Sequence, residues 1–412
     1  MVVRNRNTRF IVLGFSLLFG ICLYLNHRHR QNRTEHQYNV IVWWSPYRKH
    51  IDYHRKCDLA ECRFTSDRSV QSDPHFTGYL FYGRETSLKD LPVRKPRDLW
   101  AIYHEGSPKE TPYLLEAIDL FNFSATISRH SDVPLTLQSF TSLEELIDYH
   151  AMYSFEEKVQ FQRKLKMAPV LYLQSRCDTL TGRELYVKEL AKHISIDSYG
   201  SCLHNKSLPD GILIEPKTAL DIKNYFDFVS MYKFVIVYQD MVCEDYIIDK
   251  FWKALSLGIV PIYFGAPNIR KYLPNPDSAI LIDDFKSPAE MAKFIIKIAN
   301  DKDLYNSFLS HKILNMLPIS NQLLVETVFK DDIYFVRNRR TRTIAEFECH
   351  VCAEAAIGRK WPQVPENSSI SRYRCTLPSF PPGNVTSKAL PRMDKFLERT
   401  HMEANFVRQL IN

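Results

Sequence analysis

Short apolar runs alternate with polar and amphipathic stretches along most of the chain. In the first part the apolar runs occupy 38–44, 79–82 and 98–103, and helical stretches such as 141–150 separate them. Runs of this length predict strands that are buried on both faces, as in a parallel sheet. We therefore predict an α/β domain over 38–160.

The same alternation continues with a second series of elements. Predicted strands lie at 168–175, 195–200, 233–238, 259–265 and 278–282, and predicted helices lie at 181–194, 219–232, 245–258 and 287–301. Strands alternating with helices predict an α/β fold of two doubly wound, Rossmann-like domains that face a cleft. The second domain is predicted over 161–345, with the boundary in the charged segment 155–166. An irregular, Cys-containing C-terminal tail is predicted over 346–412.

The N-terminus carries a long uncharged apolar segment, 10–25. As a helix its sixteen residues span about 24 Å, slightly less than the ~30 Å hydrocarbon core of a bilayer. A cleaved signal peptide is the alternative, but residues 24–27 make a poor small-residue cleavage site. We predict a cytoplasmic tail at 1–9, a transmembrane signal-anchor at 10–25 and a stem at 26–37.

Glycosylation sequons and cysteines place the body of the chain in an oxidising lumen. Candidate N-glycosylation sites are Asn32, Asn122, Asn205, Asn367 and Asn384. The cysteines after the anchor are Cys57, Cys62, Cys177, Cys202, Cys243, Cys349, Cys352 and Cys375. An even number of cysteines in a large ectodomain predicts up to four disulfides, with zinc binding as the alternative. The prediction is therefore a single-pass type II protein of the Golgi or endoplasmic reticulum membrane, with a lumenal catalytic domain.

Composition and charge exclude several classes of protein. The 412 residues are 45% hydrophobic and 25% charged, which is typical of globular proteins. The net charge of +7 lies largely in the first 33 residues, so a nucleic-acid partner is not expected. The motifs of Rossmann dehydrogenases, P-loop nucleotidases, α/β-hydrolases and zinc proteases are absent from the sequence. The Asp-x-Asp at 301–303 is interpreted as a solvated helix terminus, so no metal is predicted.

Two segments carry residue types suited to catalysis. Tyr246, Asp249 and Lys250 stand at positions i, i+3 and i+4 near a predicted helix start, where a lysine favours a diphosphate without a metal. A solvated polar helix face is the alternative. Glu105 follows a predicted buried strand, so its carboxylate can face the cleft and act as a base, with loop capping as the alternative.

Together these segments resemble the α1,3-fucosyltransferases, glycosyltransferase family 10. The longest match is 232–267, which follows the family pattern YKF-x4-FEN-x5-DYITEK-x7-G-x-VP-V-x-G. Further matches lie at 121–124, at 128–132, at 183–190 and at 197–200. Within the family the chain is most similar to the protein O-fucosyltransferase branch. That nearer similarity is carried by 42–46, Cys57, Cys62, the His-Glu-x-Ser-Pro loop at 104–108 and the segment 347–352.

The resemblance implies a GT-B fold and an inverting transfer from GDP-fucose without an obligatory metal or other cofactor. It implies that Arg183 and Lys250 bind the diphosphate, that Tyr246 lines the donor pocket and that Glu105 is the base. Asp249 and Asp240 take the positions of a donor-contacting Glu and Asn. The implied partner is a glycoprotein acceptor, which offers either a Ser/Thr hydroxyl of a disulfide-bonded module or a GlcNAc of a glycan.

The resemblance also implies a disulfide pattern, in which Cys349 and Cys352 bond back to Cys57 and Cys62. The chain departs from the family pattern near the site, where Ile248 and Asp249 replace the Thr and Glu of the TEK motif. Gln239 and Asp240 replace the Glu and Asn of the FEN motif, and Gly106 stands where a Glu normally precedes Ser-Pro. These departures leave open a second interpretation, a catalytically silent relative that binds glycoproteins or assists folding.

Overall fold

A computed structural model describes residues 38–136, 143–177, 179–213, 218–313, 319–330, 339–357, 373–377, 380–382 and 386–411. The predicted anchor, the stem and the sequons at Asn32, Asn367 and Asn384 lie outside the described residues. Within these ranges, none of the helices has both the length and the apolar character that crossing a membrane requires.

The first sheet is built from the N-terminal third of the chain. Its strands are β1 (Asn39–Ser45), β2 (Asp52–Lys56), β3 (Glu61–Thr65), β4 (Phe76–Tyr82), β5 (Leu99–His104) and β6 (Phe123–Thr126). They lie in the order β2-β3-β1-β4-β5-β6, and every pair is parallel except the β2–β3 hairpin. The predicted strands at 38–44, 79–82 and 98–103 therefore lie side by side as β1, β4 and β5.

The second sheet repeats this plan. Its strands are β7 (Val170–Tyr172), β8 (Ile196–Ser198), β9 (Phe234–Tyr238), β10 (Val260–Phe264) and β11 (Ile280–Leu281), all parallel and in the order β11-β10-β9-β7-β8. In both sheets the first parallel strand lies between the second and the third. The order in which successive strands are added to the sheet reverses there, and such a switch point opens a crevice at the carboxyl ends of the strands. The prediction of a mixed α/β fold with parallel sheets is confirmed.

Helices connect the strands and cover the sheets. They are α1 (Leu114–Ala117), α2 (Leu143–Ile147), α3 (Phe155–Lys164), α4 (Arg183–Leu190), α5 (Ala219–Ser230), α6 (Asp249–Ser256), α7 (Pro288–Asn300), α8 (Lys302–Phe308), α9 (Gln322–Lys330), α10 (Arg339–Ala356) and α11 (Thr386–Ile411). Side chains that cap the first turn determine where helices such as α7 and α8 begin. Ser287 caps α7 by accepting from the N–H of Glu290, and Pro288 has the fixed φ suited to a first helical position. Asp301 caps α8 by accepting from the N–H of Leu304 at 3.0 Å, in keeping with the helix-terminus interpretation of 301–303.

The boundary between the two domains lies earlier in the chain than the segment 155–166 in which the sequence placed it. The side chains of Leu146 and Phe161 pack into a core of the second sheet, so the change of domain lies before α2 and not near 160. The tail predicted to be irregular contains two long helices that return to the first domain. Phe347 of α10 packs on one face of the first sheet and Phe396 of α11 on the other.

Four disulfides join the eight cysteines of the described chain. The pairs are Cys57–Cys349, Cys62–Cys352, Cys177–Cys202 and Cys243–Cys375. The first two fasten α10 to the β2–β3 hairpin, the arrangement that the family resemblance implies. Since these cysteines are bonded to each other, they are not available as zinc ligands.

The two sequons within the described chain differ in solvent exposure. Asn122 is 8% exposed, and its Oδ1 accepts hydrogen bonds from Arg94 at 2.6 Å and from the N–H of Trp100 at 2.9 Å. A glycan on this buried amide is incompatible with the folded domain, which corrects the expectation for Asn122. Asn205 is exposed, so its sequon remains a prediction.

Candidate active site

A cleft of about 530 Å³ opens between the two sheets and collects the predicted site residues. Its walls include Glu105, Arg183, Asp240, Tyr246, Asp249 and Lys250. Glu105 follows β5 of the first sheet, and the other five belong to the second domain. Asp240 follows β9, next to the switch point, so the fold brings these side chains to the carboxyl ends of both sheets.

Lys250 is a half-buried cation on the second-domain wall. Its Nζ donates to the backbone carbonyl of Leu173, directly after β7, at 2.9 Å. Burial, followed by the nearby guanidinium of Arg183, lowers the pKa of Lys250 to about 8, and the carboxylate of Asp249 partly offsets this. Asp249 itself is exposed at the start of α6 and accepts from the N–H of Lys250 at 2.8 Å.

Arg183 is the first residue of α4 and is only 6% exposed. Its guanidinium donates to the carbonyl of Tyr238 at 3.1 Å and to that of Arg176 at 3.0 Å. Within the described part of the chain its Nε has no hydrogen-bond partner. Both cations of this wall are thus held by carbonyl dipoles instead of carboxylates. Because an uncompensated buried cation is costly, the arrangement favours an anionic ligand.

Asp240 links the two domains. Its Oδ1 accepts from the hydroxyl of Ser107, in the loop after β5, at 3.0 Å. It also accepts from the hydroxyl of Tyr246 at 3.2 Å. Burial, together with this carboxylate, raises the pKa of Tyr246 well above its usual value, so the phenol remains a hydrogen-bond donor.

Gln239 has a structural task that the sequence did not reveal. It is buried, and its Nε2 donates to the carbonyl of Tyr246 at 2.6 Å and to the hydroxyl of Tyr263. The amide therefore fixes the backbone that carries Tyr246 into the cleft. A glutamate carboxylate could not donate these hydrogen bonds. The surroundings of position 239 therefore favour the glutamine that replaces the family's Glu.

Glu105 lies half-buried on the opposite wall. The hydroxyl of Tyr82, the last residue of β4, donates to its Oε1 at 2.6 Å. The preceding His104 is fully buried between Tyr373 and Thr111, at 2.7 and 2.9 Å from its two ring nitrogens. Burial lowers the pKa of His104 to about 3, with Arg84 contributing, so the ring is neutral at pH 7. It anchors the loop that carries Glu105.

Sequence reasoning missed other residues of the site. Arg84, Glu110 and Arg399 also line the cleft, although no motif pointed to them. Asp245 lines it too and is paired with Arg129 of the first domain. Both lie inside the matched segments 128–132 and 232–267, but spacing could not show that they meet. Among the described residues no group of three or more His, Cys, Asp or Glu is arranged to hold a metal ion.

Comparison with known proteins identifies the family that these features define. Residues 161–354 match the glycosyltransferase family 10 (fucosyltransferase) C-terminal region, and residues 35–138 match the fucosyltransferase N-terminal region. The chain therefore belongs to glycosyltransferase family 10, the fucosyltransferases. The recognition of this family from the sequence is confirmed.

Individual relatives cover most of the chain. Alpha-(1,3)-fucosyltransferase B of Drosophila melanogaster is 39% identical over 76% of this chain and 71% of its own length. GDP-fucose protein O-fucosyltransferase 3 of Rattus norvegicus is 36% identical over 83% of this chain and 71% of its own length. The protein of the same name from Gallus gallus is 35% identical over 94% of this chain and 83% of its own length. A solved alpha1,3-fucosyltransferase with GDP-fucose matches with a TM-score of 0.39 and 16% identity over 72% of this chain and 91% of that one. A structural likeness this low adds nothing to the topology described above.

Proposed function

We propose that this protein transfers L-fucose from GDP-fucose to a hydroxyl of a glycoprotein acceptor, with inversion at the anomeric carbon. The observation that carries the proposal is the pair Arg183 and Lys250. Among the described residues no carboxylate is directly bonded to either cation, and both cations face the cleft beside the N-termini of α4 and α6. Such a wall suits a nucleoside diphosphate. The proposed arrangement is GT-B, with a donor-binding second domain and an acceptor-binding first domain.

The proposed reaction is a single displacement. The acceptor oxygen attacks the anomeric carbon of fucose and forms the new glycosidic bond, while the bond from that carbon to the phosphate oxygen breaks. Glu105 takes the acceptor proton, and Arg183, Lys250 and the two helix N-termini stabilise the departing GDP. Tyr246, Asp249 and Asp240 line the donor pocket. The proposed reaction has no obligatory metal or cofactor, and GDP-fucose is the donor substrate.

The acceptor is proposed from two lines of similarity. Relatives named as protein O-fucosyltransferases point to a Ser or Thr of a disulfide-bonded module, whereas the α1,3-fucosyltransferases point to a GlcNAc of a glycan. The four disulfides and these relatives support a lumenal location in the secretory pathway. Anchoring by 10–25, and residence in the Golgi or endoplasmic reticulum, remain predictions from the sequence.

Calorimetric titration of GDP into the purified full-length chain tests the donor site. We expect binding by the wild type, without divalent cation, and a large loss of affinity in Lys250→Ala. Incubation with labelled GDP-fucose and both types of acceptor then tests the transfer. Since general-base catalysis typically contributes about 10²–10⁴-fold, Glu105→Gln should lower the rate more than tenfold. A smaller effect would remove Glu105 from this role.

A catalytically silent relative is the second candidate. The observation that favours it is Asp240, an anion on the wall that would hold the diphosphate. A silent protein would bind acceptor glycoproteins but would neither bind GDP nor release it from GDP-fucose. The same titration therefore decides between the two functions.

A further inference from the structure

Glu110 is a carboxylate of the cleft that the proposed reaction leaves without a role. It lies in the loop between β5 and α1, and its Oε2 accepts a hydrogen bond from Nε of Arg84 at 3.1 Å. The two side chains are 48% and 46% exposed, respectively. Because ion pairs this exposed contribute little to stability, Glu110 can be substituted without unfolding the protein.

The carboxylate of Glu110 occupies the space in which a side chain at position 106 would begin. A Cβ added to Gly106 would lie 2.8 Å from Oε2 of Glu110 and 3.1 Å from Nε of Arg84. Gly106 is not among the glycines with a positive φ, so its backbone does not by itself require glycine. The missing side chain is what allows Arg84 and Glu110 to fold over the loop next to Glu105.

The charge of Glu110 also reaches the opposite wall. Burial and then Asp240 are the main causes that raise the pKa of Tyr246, and Glu110 adds to them across the cleft. An anion in this position would repel a diphosphate, which the cations Lys250 and Arg183 attract. Glu110 is instead suited to the N–H and O–H donors of the acceptor.

We propose that Glu110, oriented by Arg84, binds the acceptor next to its attacking hydroxyl by accepting a hydrogen bond from a neighbouring polar group. This inference rests on the proposed function and narrows its substrate class. The acceptor must present a hydrogen-bond donor beside the hydroxyl that receives fucose. Proton transfer remains with Glu105, so the two carboxylates have separable kinetic effects.

Two measurements on the full-length protein test this role. The first is the initial rate as a function of acceptor and, separately, of GDP-fucose. The second is calorimetric binding of the same acceptor in the presence of GDP, which needs no turnover. The probes are a folded disulfide-bonded module and a GlcNAc-terminated glycan. For Glu110→Gln we expect acceptor KM and Kd to rise about tenfold, with kcat, GDP-fucose KM and GDP affinity within about twofold of wild type.

Gly106→Ala is a second way to remove the Glu110 carboxylate from its position in the cleft. The added methyl group displaces the Glu110 carboxylate, so this variant should show the same loss of acceptor affinity. The double variant should be no worse than either single variant, because both remove one interaction. Glu156→Gln is the matched control, since it breaks the similarly exposed pair with Lys302 outside the cleft.

Three results would overturn the inference. Unchanged acceptor KM and Kd in Glu110→Gln would reduce the residue to a surface ion pair. A fall in kcat with an altered pH profile and normal acceptor affinity would make it a base. If the losses of acceptor affinity in Gly106→Ala and Glu110→Gln added up in the double variant, the two changes would act through different interactions. A wild-type protein that binds no GDP would instead refute the proposed function, and the acceptor Kd would still report on Glu110.

Discussion

Arg129 of the first domain and Asp245 of the second form an ion pair between residues 116 positions apart in the chain. The backbone N–H of Arg129 donates to Oδ2 of Asp245 at 2.9 Å, and its guanidinium binds both carboxylate oxygens. Tyr272 and Asn268 donate to the same carboxylate at 2.7 Å each. Asp245 adopts a left-handed backbone with a φ of 65°, next to Tyr246 of the cleft. The pair therefore fixes the domains at the residues that shape the donor wall.

Removing the cation should destabilise the protein. Arg129→Met leaves a carboxylate with no solvent exposure and without its charge partner, for which we expect a loss of about 3 kcal/mol in the free energy of unfolding. Urea unfolding of the full-length chain measures this loss. Arg129→Met combined with Asp245→Asn should recover part of it, because the second change removes the uncompensated charge. A double variant that is less stable than Arg129→Met would contradict the account.

Acid should weaken the same link. Burial opposes ionisation of Asp245, but hydrogen bonds from Arg129, Tyr272 and Asn268 outweigh it and lower the pKa to about 2. Because this folded-state pKa lies below the unfolded value near 3.9, the carboxylate stabilises the fold fully above about pH 4 and progressively less towards pH 2. The contribution is on the order of 2–3 kcal/mol. Asp245→Asn should therefore show a shallower loss of stability between pH 5 and 2 in parallel urea titrations, and equal slopes would refute this.

GDP affinity should depend on pH through Lys250. Its pKa of about 8 means that the unliganded enzyme loses this positive charge as the pH rises above 8. We expect affinity to be steady near pH 7 and to fall by up to about tenfold per pH unit above 8. Lys250→Arg should bind with a flat profile, since guanidinium remains charged. Calorimetry between pH 7 and 9.5 tests this, and identical profiles for the two proteins would exclude Lys250 as the titrating group.

Neutralising Asp240 should strengthen donor binding. In Asp240→Asn the amide oxygen can still accept from Ser107 and Tyr246, while the repulsion of a diphosphate disappears. We expect GDP to bind about threefold to tenfold more tightly, corresponding to roughly 1 kcal/mol of relieved repulsion across a solvated cleft. Ser107→Ala is the matched control, because it removes the hydrogen bond between the domains and keeps the charge. Tighter binding in both variants would attribute the effect to domain opening and not to charge.

The sequence predicted what local patterns encode. The apolar runs at 38–44 and 233–238 became β1 and β9, since a strand buried on both faces needs a continuous apolar segment. Strand β2 reads DYHRK and lies at a partly exposed edge, so no apolar run marked it. The helices α10 and α11 were missed because they lie in a segment read as irregular, and their positions depend on distant partners on the first sheet.

The candidate site likewise contains residues that the sequence indicated and residues that it did not. Glu105, Tyr246 and Lys250 were found because they sit at strand and helix ends, where side chains enter a cleft. Arg129 with Asp245 and Arg84 with Glu110 were not found, because a charge carries no signal of its partner when that partner lies on another loop or domain. Their pairing is set by tertiary packing.

The disulfides give a prediction that compares two loop lengths. Cys57–Cys349 closes a loop with a sequence separation of 292, whereas Cys177–Cys202 closes one of 25. Cys62–Cys352 spans nearly the same loop, with a sequence separation of 290, so only the removal of both long-range pairs opens it. In the chain-entropy description the longer loop constrains the unfolded chain more, by about 2 kcal/mol. Replacing the four cysteines of both long-range pairs by serine should therefore destabilise the fold more than replacing Cys177 and Cys202. Urea unfolding of both variants measures the difference, and peptide mapping without reduction verifies the pairs. A peptide in which Cys349 is bonded to Cys352 would refute the attachment of α10 to the hairpin and with it the larger loss.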